Sequence, residues 1–514
     1  MVPAAGDMAG RLIVLPLQDS FAGPGPTPQE RAAQALELLA AGRPAEALAA
    51  AELALAADPR LAIARTAQAA AIQQLQAGDP KLTALELTAV IQAENPQAQL
   101  ELAHAYVHED RPADAERYFK RALAVAPRHA AAHAGLGALY LSVGIEDGAE
   151  HHSRLALRCD PAHALASQTL AEILERRGEA QAAFALLDEA YSRQSLFLEP
   201  APDSRMTVLV LSTETAGNIP YKHLMPAAHY SRLIWFMEHA RETQFAELPA
   251  HDVVFNAIGD PDLAGPSADM VRRFLDRCGR KVLNDPARIS QTARGLIPET
   301  LGGLKDVVVP AAAKISHDAI ARLGLKRAVA GTGLKPPLLV RPTGSHGGKG
   351  LELAPSWEDL EASAAAASEQ DLYVTSFHDY RSADGLFRKG RVVFVDRKPF
   401  PYHWGASDHW MVHYDSSGSG EDPARRAEER RVLENPEAAL GAKAWAAIAR
   451  IGERLDLDYC GLDFSVLADG RVLVFEANAT MFVHPEAETS LLAYKNPMVR
   501  AITEAFQARL QALA

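Results

Sequence analysis

Apolar positions along this chain follow two different periods, and the change from one to the other divides it. From about residue 30 to 195, apolar and small residues recur at the three- and four-residue spacing of helices. One stretch runs Leu102-Ala103, Tyr106, Ala115, Phe119, Ala122, Pro127; the next runs Leu136-Gly137, Tyr140, Ala149, Ala156, Pro161, 34 residues on. A further unit (Leu170-Ala171, Leu174, Ala183, Leu187, Ala190) keeps the spacing without the proline, and Pro59 and Pro96 end two looser ones. Each helix pair cannot bury its apolar face alone, so such units must stack. The alternative is an unrelated Ala-rich bundle. Two prolines break the pattern at 194–205, which reads as a linker over 196–205. The Gly/Pro/Ala-rich residues 1–29 read as a flexible tail or short docking segment rather than a signal peptide.

Beyond residue 205 the period shortens. Buried-strand runs at 206–211, 251–258 and 280–285 alternate with expected helices around 226–246 and 266–278, which predicts an α/β unit with a parallel sheet. Ligands sit at the carboxyl ends of such strands, so loops 214–224 and 259–266 are candidate substrate loops. Further strands are expected in 337–353, joined there by a glycine-rich turn, and at 372–377, 388–396 and 398–403. A mobile loop at 415–429 and a long helix at about 436–455 follow.

Two β-rich runs then flank Asp469-Gly470, a strong hairpin signal. With a two-residue loop, Ala468 faces Arg471, and Asp463 lies opposite Glu476 on one face, with Cβ atoms roughly 5 Å apart. Asn478 shares that face, while Leu462, Phe464, Phe475 and Ala477 point the other way. Opposed carboxylates repel, and a hard divalent cation with oxygen ligands would compensate them. A solvated hairpin edge with two independent acids is the other reading.

Composition narrows the class. A hydrophobic content of 48% and a charged content of 23% fit a globular protein, and the length predicts about three folding units. The net charge of -13 argues against a nucleic-acid surface. Three scattered cysteines, Cys159, Cys278 and Cys460, fit a reducing cytoplasm better than a disulfide framework or zinc site. No apolar run reaches membrane-spanning length.

The glycine turn, Thr343-Gly344-Ser345-His346-Gly347-Gly348-Lys349-Gly350, is not a Walker loop, because no Ser or Thr follows Lys349. It can still lay N–H groups and a lysine over phosphates, or be a flexible hairpin. Arg388, Lys389 and Arg391 bracket an anion or form a solvated basic edge. His403, His409 and His413, with Trp410 and Tyr414, read as a substrate-pocket wall or mobile loop in preference to a metal site, which lacks a third ligand; inert packing is the other reading.

These patterns carry two resemblances. The repeats resemble the tetratricopeptide repeat (TPR), over 30–195. The order of strand-helix units, glycine flap, hinge strand, arginine-led strand, helix and acid–acid–Asn hairpin resembles the ATP-grasp superfamily over about 206–514, and within it the glutathione-synthetase-like ligases. The resemblance implies an all-α TPR solenoid followed by an α/β ATP-grasp fold, with 206–300 as a preceding α/β subdomain and 301–514 as the nucleotide-binding and catalytic part. It implies ATP and one or two Mg²⁺ ions, with Mn²⁺ an alternative, the metal held by Asp463, Glu476 and Asn478. Gly344, Ser345, Gly347, Gly348 and Lys349 match the phosphate flap. Arg294 and Arg341 stand where relatives have lysines, a departure that keeps charge but changes geometry. Arg391, with Arg388 as second choice, matches the arginine that steadies the acylphosphate. The implied activity is ATP-dependent joining of a carboxylate to an amine or other nucleophile, releasing ADP and phosphate, with the repeats recruiting a peptide or protein. The competing function is an interaction scaffold whose grasp domain senses nucleotide.

Overall fold

The computed structural model describes residues 26–514 apart from 76–79, 202, 215–216, 346–347, 349, 366–369 and 413–421. Gly347, Lys349 and His413 therefore lie outside the described residues. The chain divides into two units, the first ending at Ala190 and the second running Tyr191–Ala514.

The first unit is all helical. Its pairs are Pro28–Ala40 with Pro44–Ala57, Ala62–Leu75 with Pro80–Ile91, Pro96–His108 with Pro112–Val125, Ala130–Ser142 with Glu146–Cys159, and Ala164–Arg176 with Ala180–Arg193. Small residues set the approach of neighbouring helices: a Cβ on Gly135 would lie 2.3 Å from the Phe119 ring, and one on Gly137 would lie 2.7 Å from Ser153 Oγ. Left-handed residues end the first helix of several pairs, namely Gly42, Asp110, Gly144 and Gly178. The last three are spaced by 34 residues, so the repeat is written into the turns as well as the helix faces.

The second unit is α/β and holds three sheets. The first contains β1 (Leu196–Glu199), β2 (Met206–Ser212), β3 (Tyr230–Phe236), β4 (Val253–Asn256) and β5 (Val282–Leu283) in the order β1-β3-β2-β4-β5. Only β1 runs antiparallel to its neighbour. Two expectations fail here. The segment expected as a helix over 226–246 holds β3, because Tyr-Ser-Arg-Leu-Ile-Trp-Phe is buried along its whole length and so carries no alternation of apolar and polar positions to mark a strand. The expected linker 196–205 begins with β1, whose Leu196 pairs with Trp235 and packs on the core around it.

The second sheet comprises β7 (Ala312–Ile315), β8 (Leu338–Pro342), β9 (Glu352–Ala354) and β10 (Leu372–Ser376), and the short β6 (Val307–Val308) precedes it in sequence. Its order is β7-β10-β8-β9 and every pairing is antiparallel. The third sheet contains β11 (Phe387–Val395), β12 (Lys398–Ser407), β13 (Tyr459–Val466) and β14 (Val472–Asn478), with β6 at its edge, in the order β12-β11-β13-β14-β6. The long helix expected at about 436–455 is two, Pro436–Leu440 and Ala442–Leu455, separated by Gly441 at φ +90°. The expected loop 415–429 gives way at Asp422, which caps a helix over Pro423–Glu434.

Candidate nucleotide and metal site

The β13–β14 hairpin places the two carboxylates, by a route different from the expected one. Leu467 N–H donates to Arg471 O and Gly470 N–H to Leu467 O, so three residues, Ala468 to Gly470, form the loop, with Gly470 at φ +78°. That shifts the register by one. A bulge restores it: Phe464 pairs with Val474 while Asp463 pairs with Glu476, leaving Phe475 as the extra residue. The acids face each other as the two-residue turn would have had them. Phe475 does not join Leu462 and Phe464; it lines the cavity and stacks edge-on against Tyr380 at 4.8 Å.

β11 supplies the counter-charges. Arg391 pairs with Asp463 across the sheet and grips it with two bonds, Nε–Oδ1 at 2.7 Å and Nη2–Oδ2 at 3.0 Å. Lys389, two residues earlier on the same face, reaches Asp463 Oδ2 at 2.6 Å. Glu476 Oε2 accepts from Arg294 Nη2 at 2.8 Å, and its Oε1 accepts from Asn478 Nδ2 at 3.0 Å. Asn478 Oδ1 accepts from the backbone and hydroxyl of Thr480. β8 brings Arg341, opposite Tyr373 of β10, and its guanidinium bonds Ser345 Oγ and the Ser345 carbonyl.

Burial pushes the Asp463 carboxyl up, but the charges of Arg391 and Lys389 outweigh it and hold the group well below the usual carboxylate range. Burial likewise opposes ionisation of Glu476, and Arg294 overcomes both that and the repulsion from Asp463. Both acids are therefore ionised. Arg341 is lowered to about 10, first by burial and then by the charge of Arg294.

These side chains line one cavity of about 640 Å³ between the second and third sheets. It is lined by Arg294, Arg341, Lys389 and Arg391 with Asp463, Glu476 and Asn478, and by apolar side chains of which Tyr380, Trp410, Val412 and Phe475 cluster together. Among the described lining residues four permanent cations meet two carboxylates. The four cationic side chains give the hollow charged donors for an anion. The two carboxylates and one amide oxygen are also the donor chemistry of a hard divalent cation.

Loops from the first sheet reach the same place. A Cβ on Gly259 would lie 2.8 Å from Thr480 Cγ2 and 2.9 Å from Ile219 Cγ1, and His223 meets Phe482 edge-on at 5.1 Å, so Gly259 and His223 both pack against residues following Asn478. Asp260 and Asp262 line a small hollow with Arg294, Glu476 and Asn478, and Asp262 accepts a bond from the Tyr373 hydroxyl at 2.8 Å.

Of the residues singled out from sequence, the cavity gathers Arg294, Arg341, Gly348, Arg391, Asp463, Glu476 and Asn478. Gly344 and Ser345 sit in the turn beyond Arg341 and do not line it. Arg388 points elsewhere, tied to Asp384 and Glu428, because alternation puts it on the face opposite Lys389 and Arg391. His403 is no pocket wall: it is buried against Glu429 at 2.5 Å, and Glu429 also takes Lys495 at 3.0 Å and the Tyr494 hydroxyl at 2.7 Å. His409 lies in a bend rather than a helix, its Nδ1 accepting the Met411 N–H, while the next residue, Trp410, does line the cavity. The sequence groups Lys389 with Arg388 and Arg391 as an anion bracket or a basic edge; two-residue alternation with Arg391 is the signal that separates it from Arg388.

No protein-family model and no curated protein matches this chain. Among solved structures it is similar to MamA, at 21% identity over 31% of this chain and 94% of that one, with a TM-score of 0.22. It is similar to the thermophilic TPR protein TTC0263 of Thermus thermophilus, at 24% identity over 33% of this chain and 92% of that one, with a TM-score of 0.21. It is also similar to the VanG D-Ala:D-Ser ligase of Enterococcus faecalis, at 11% identity over 60% of this chain and 98% of that one, with a TM-score of 0.36.

Proposed function

We propose that the second unit is an ATP-dependent ligase of ATP-grasp type, with the helical unit as a TPR array that recruits a peptide or protein. The observation that supports this most is the single cavity joining an apolar slot, four cations and the Asp463–Glu476–Asn478 donor set. Its side chains suit the ligand. Four cationic side chains line the cavity and can meet phosphate oxygens, while Asp463 and Glu476 there and Asp260 and Asp262 beside Arg294 leave room for the charge of a metal. Asp463, Glu476 and Asn478 would hold Mg²⁺, or Mn²⁺ in its place. The ion when bound offsets phosphate charge during transfer.

The protein's own groups then act by position and charge. Arg294 and Arg341 take phosphate oxygens, and the backbone of Gly348, which lines the cavity, is proposed to meet them. The apolar wall at Trp410 and Val412 takes the base. A substrate carboxylate attacks the terminal phosphorus, ADP leaves, and Arg391 steadies the acylphosphate until an amine or other nucleophile displaces phosphate. Asp260 and Asp262 lie beside Arg294 and Glu476, and their loop, which bonds Gly217 through the Gly259 N–H, is proposed to carry the acceptor. Among the described residues no helix is long and apolar enough to cross a membrane, and a cytoplasmic setting is proposed with the function.

The test is Glu476→Gln. It keeps size and hydrogen bonding but removes a metal-holding charge, and is expected to abolish ATP consumption while the thermal unfolding profile stays near that of the parent. The assay uses the full chain with ATP, Mg²⁺ and a panel of carboxylates, amines and peptides, read by product mass. A folded Glu476→Gln protein that consumes ATP as the parent does would overturn the site. Metal-dependent nucleotide binding with no product from any pair would favour the nucleotide-sensing scaffold.

A further inference from the structure

Every oxygen that would hold the metal already has an internal partner. Asp463 Oδ1 takes Arg391, and its Oδ2 takes both Arg391 and Lys389. Glu476 Oε2 takes Arg294 and its Oε1 takes Asn478. Asn478 Oδ1 takes Thr480 twice. A divalent cation arriving alone must therefore displace cations that are themselves confined to the same wall, and it then faces their repulsion in a half-buried setting where charges are poorly screened. A polyanion meets the opposite situation, since the same three side chains can turn from carboxylate to phosphate without leaving the cavity.

Resting on the nucleotide reading above, we infer that Lys389, Arg391 and Arg294 form an exchangeable set of counter-ions that makes metal binding depend on nucleotide. Without phosphate they neutralise Asp463 and Glu476 and keep divalent ions out. With phosphate they move to the anion and free the carboxylate oxygens for the metal. The order is then one-sided: nucleotide binds without metal, but metal does not bind without nucleotide. Lys389 is the member best suited to move. It is a compact point charge on a flexible stem, whereas Arg391 is held by a two-pronged fork.

The consequence is specific. Replacing Lys389 removes a phosphate partner and also a rival of the metal, so one substitution acts in opposite directions on the two ligands. A side chain that merely supported the local structure would weaken both.

The experiment uses the full chain and two probes, Mn²⁺ followed by electron paramagnetic resonance and a non-hydrolysable ATP analogue followed by calorimetry in EDTA. Weak binding of Mn²⁺ to the acidic surface is separated by subtracting the Glu476→Gln protein. The parent is expected to bind the analogue in EDTA and to show no Glu476-dependent Mn²⁺ binding in its absence. Lys389→Met is expected to gain Glu476-dependent Mn²⁺ binding without nucleotide and to bind the analogue at least fivefold more weakly than the parent. Glu476-dependent Mn²⁺ binding by the nucleotide-free parent would overturn the inference without needing any further variant. A Lys389→Met protein that gains no such Mn²⁺ binding would do so too. Those failures leave the nucleotide site standing. A parent that binds the analogue neither with nor without Mn²⁺ fails differently, because it overturns the nucleotide reading and the inference with it.

Discussion

The side chain of Asn284 closes on the backbone of Tyr459, donating Nδ2–H to its carbonyl and accepting its N–H at Oδ1, each at 2.8 Å. Asn284 follows β5 in a left-handed conformation at φ +57°, and Tyr459 begins β13, the strand that carries Asp463. One amide thus pins the first sheet to the third, and both residues are fully buried.

Asn284→Ala is expected to leave two buried backbone groups unpaired, at about 1–3 kcal/mol each, and to add left-handed strain of about 1–2 kcal/mol. Calorimetry should show the unfolding of the second unit moved to lower temperature, with nucleotide binding weakened because β13 is less well held. An unchanged melting temperature would mean that solvent replaces the amide, which the burial argues against.

The edge strand β1 sets where the second unit begins. Tyr191 stacks on Phe236 with ring centroids 3.8 Å apart, and β1 covers β3. A chain starting at Tyr191 is therefore expected to melt cooperatively, whereas one starting at residue 200 exposes the free edge and apolar face of β3 and should melt lower and aggregate. Light scattering and circular dichroism on the two chains compare them directly. Equal stability would show that β1 is dispensable.

Glu429 has no exposed surface and gathers His403, Lys495 and Tyr494 between β12, the helix Pro423–Glu434 and the turn Ala493–Lys495 that leads into the helix Asn496–Leu513. Burial pushes its carboxyl up, but His403 and Lys495 prevail and lower it to about 2. A depressed carboxyl stabilises the fold above its unfolded value, near 4.5, and that contribution is lost as pH falls toward about 2. His403 is shifted down by burial, so protonation of the unfolded chain below its ordinary value of 6.5 already erodes stability. Glu429→Ala, which leaves Lys495 buried without its carboxylate, should cost about 3–5 kcal/mol at neutral pH. It should also flatten the pH dependence between about 4.5 and 2. Denaturant titrations at several pH values would show a parallel, merely offset curve if Glu429 were not the titrating group.

The acid pair comes out right from the sequence because two departures from the simple hairpin cancel. The loop is one residue longer than read, and the bulge at Phe475 cancels the error before Asp463 and Glu476 are reached. No local pattern announces that bulge. β3 was misread for the opposite reason: buried on both faces, it offers no alternation. Lys389 and Arg388 are neighbours of like charge, and only the face each occupies separates a cavity residue from one tied to Glu428. The sequence leaves His403 between a pocket wall and inert packing because the partner that decides it, Glu429, comes 26 residues later from a helix in a stretch expected as loop.

Arg341 carries the sharpest expectation. Its guanidinium is buried beside that of Arg294, and the two effects in that order lower it to about 10, with Glu476 and Asp262 opposing. A base depressed in the folded state costs stability at all pH values below its folded pKa, so the cost holds across the neutral range and lifts only as pH rises beyond about 10. Arg341→Met removes that cost and keeps much of the volume, so the ligand-free protein should melt at the same or a higher temperature. The same change should weaken binding of a non-hydrolysable ATP analogue with Mg²⁺ by about 1–3 kcal/mol, the range for a charged hydrogen bond. Arg341→Lys should recover part of the loss, since a point charge lacks the fork that takes two oxygens. Isothermal titration and thermal melts on the three proteins separate the outcomes. Analogue binding equal to the parent's in Arg341→Met would place the nucleotide elsewhere. A melting temperature several degrees lower would make Arg341 a structural strut for the Ser345 turn it bonds, and the repulsion with Arg294 would then be the smaller effect.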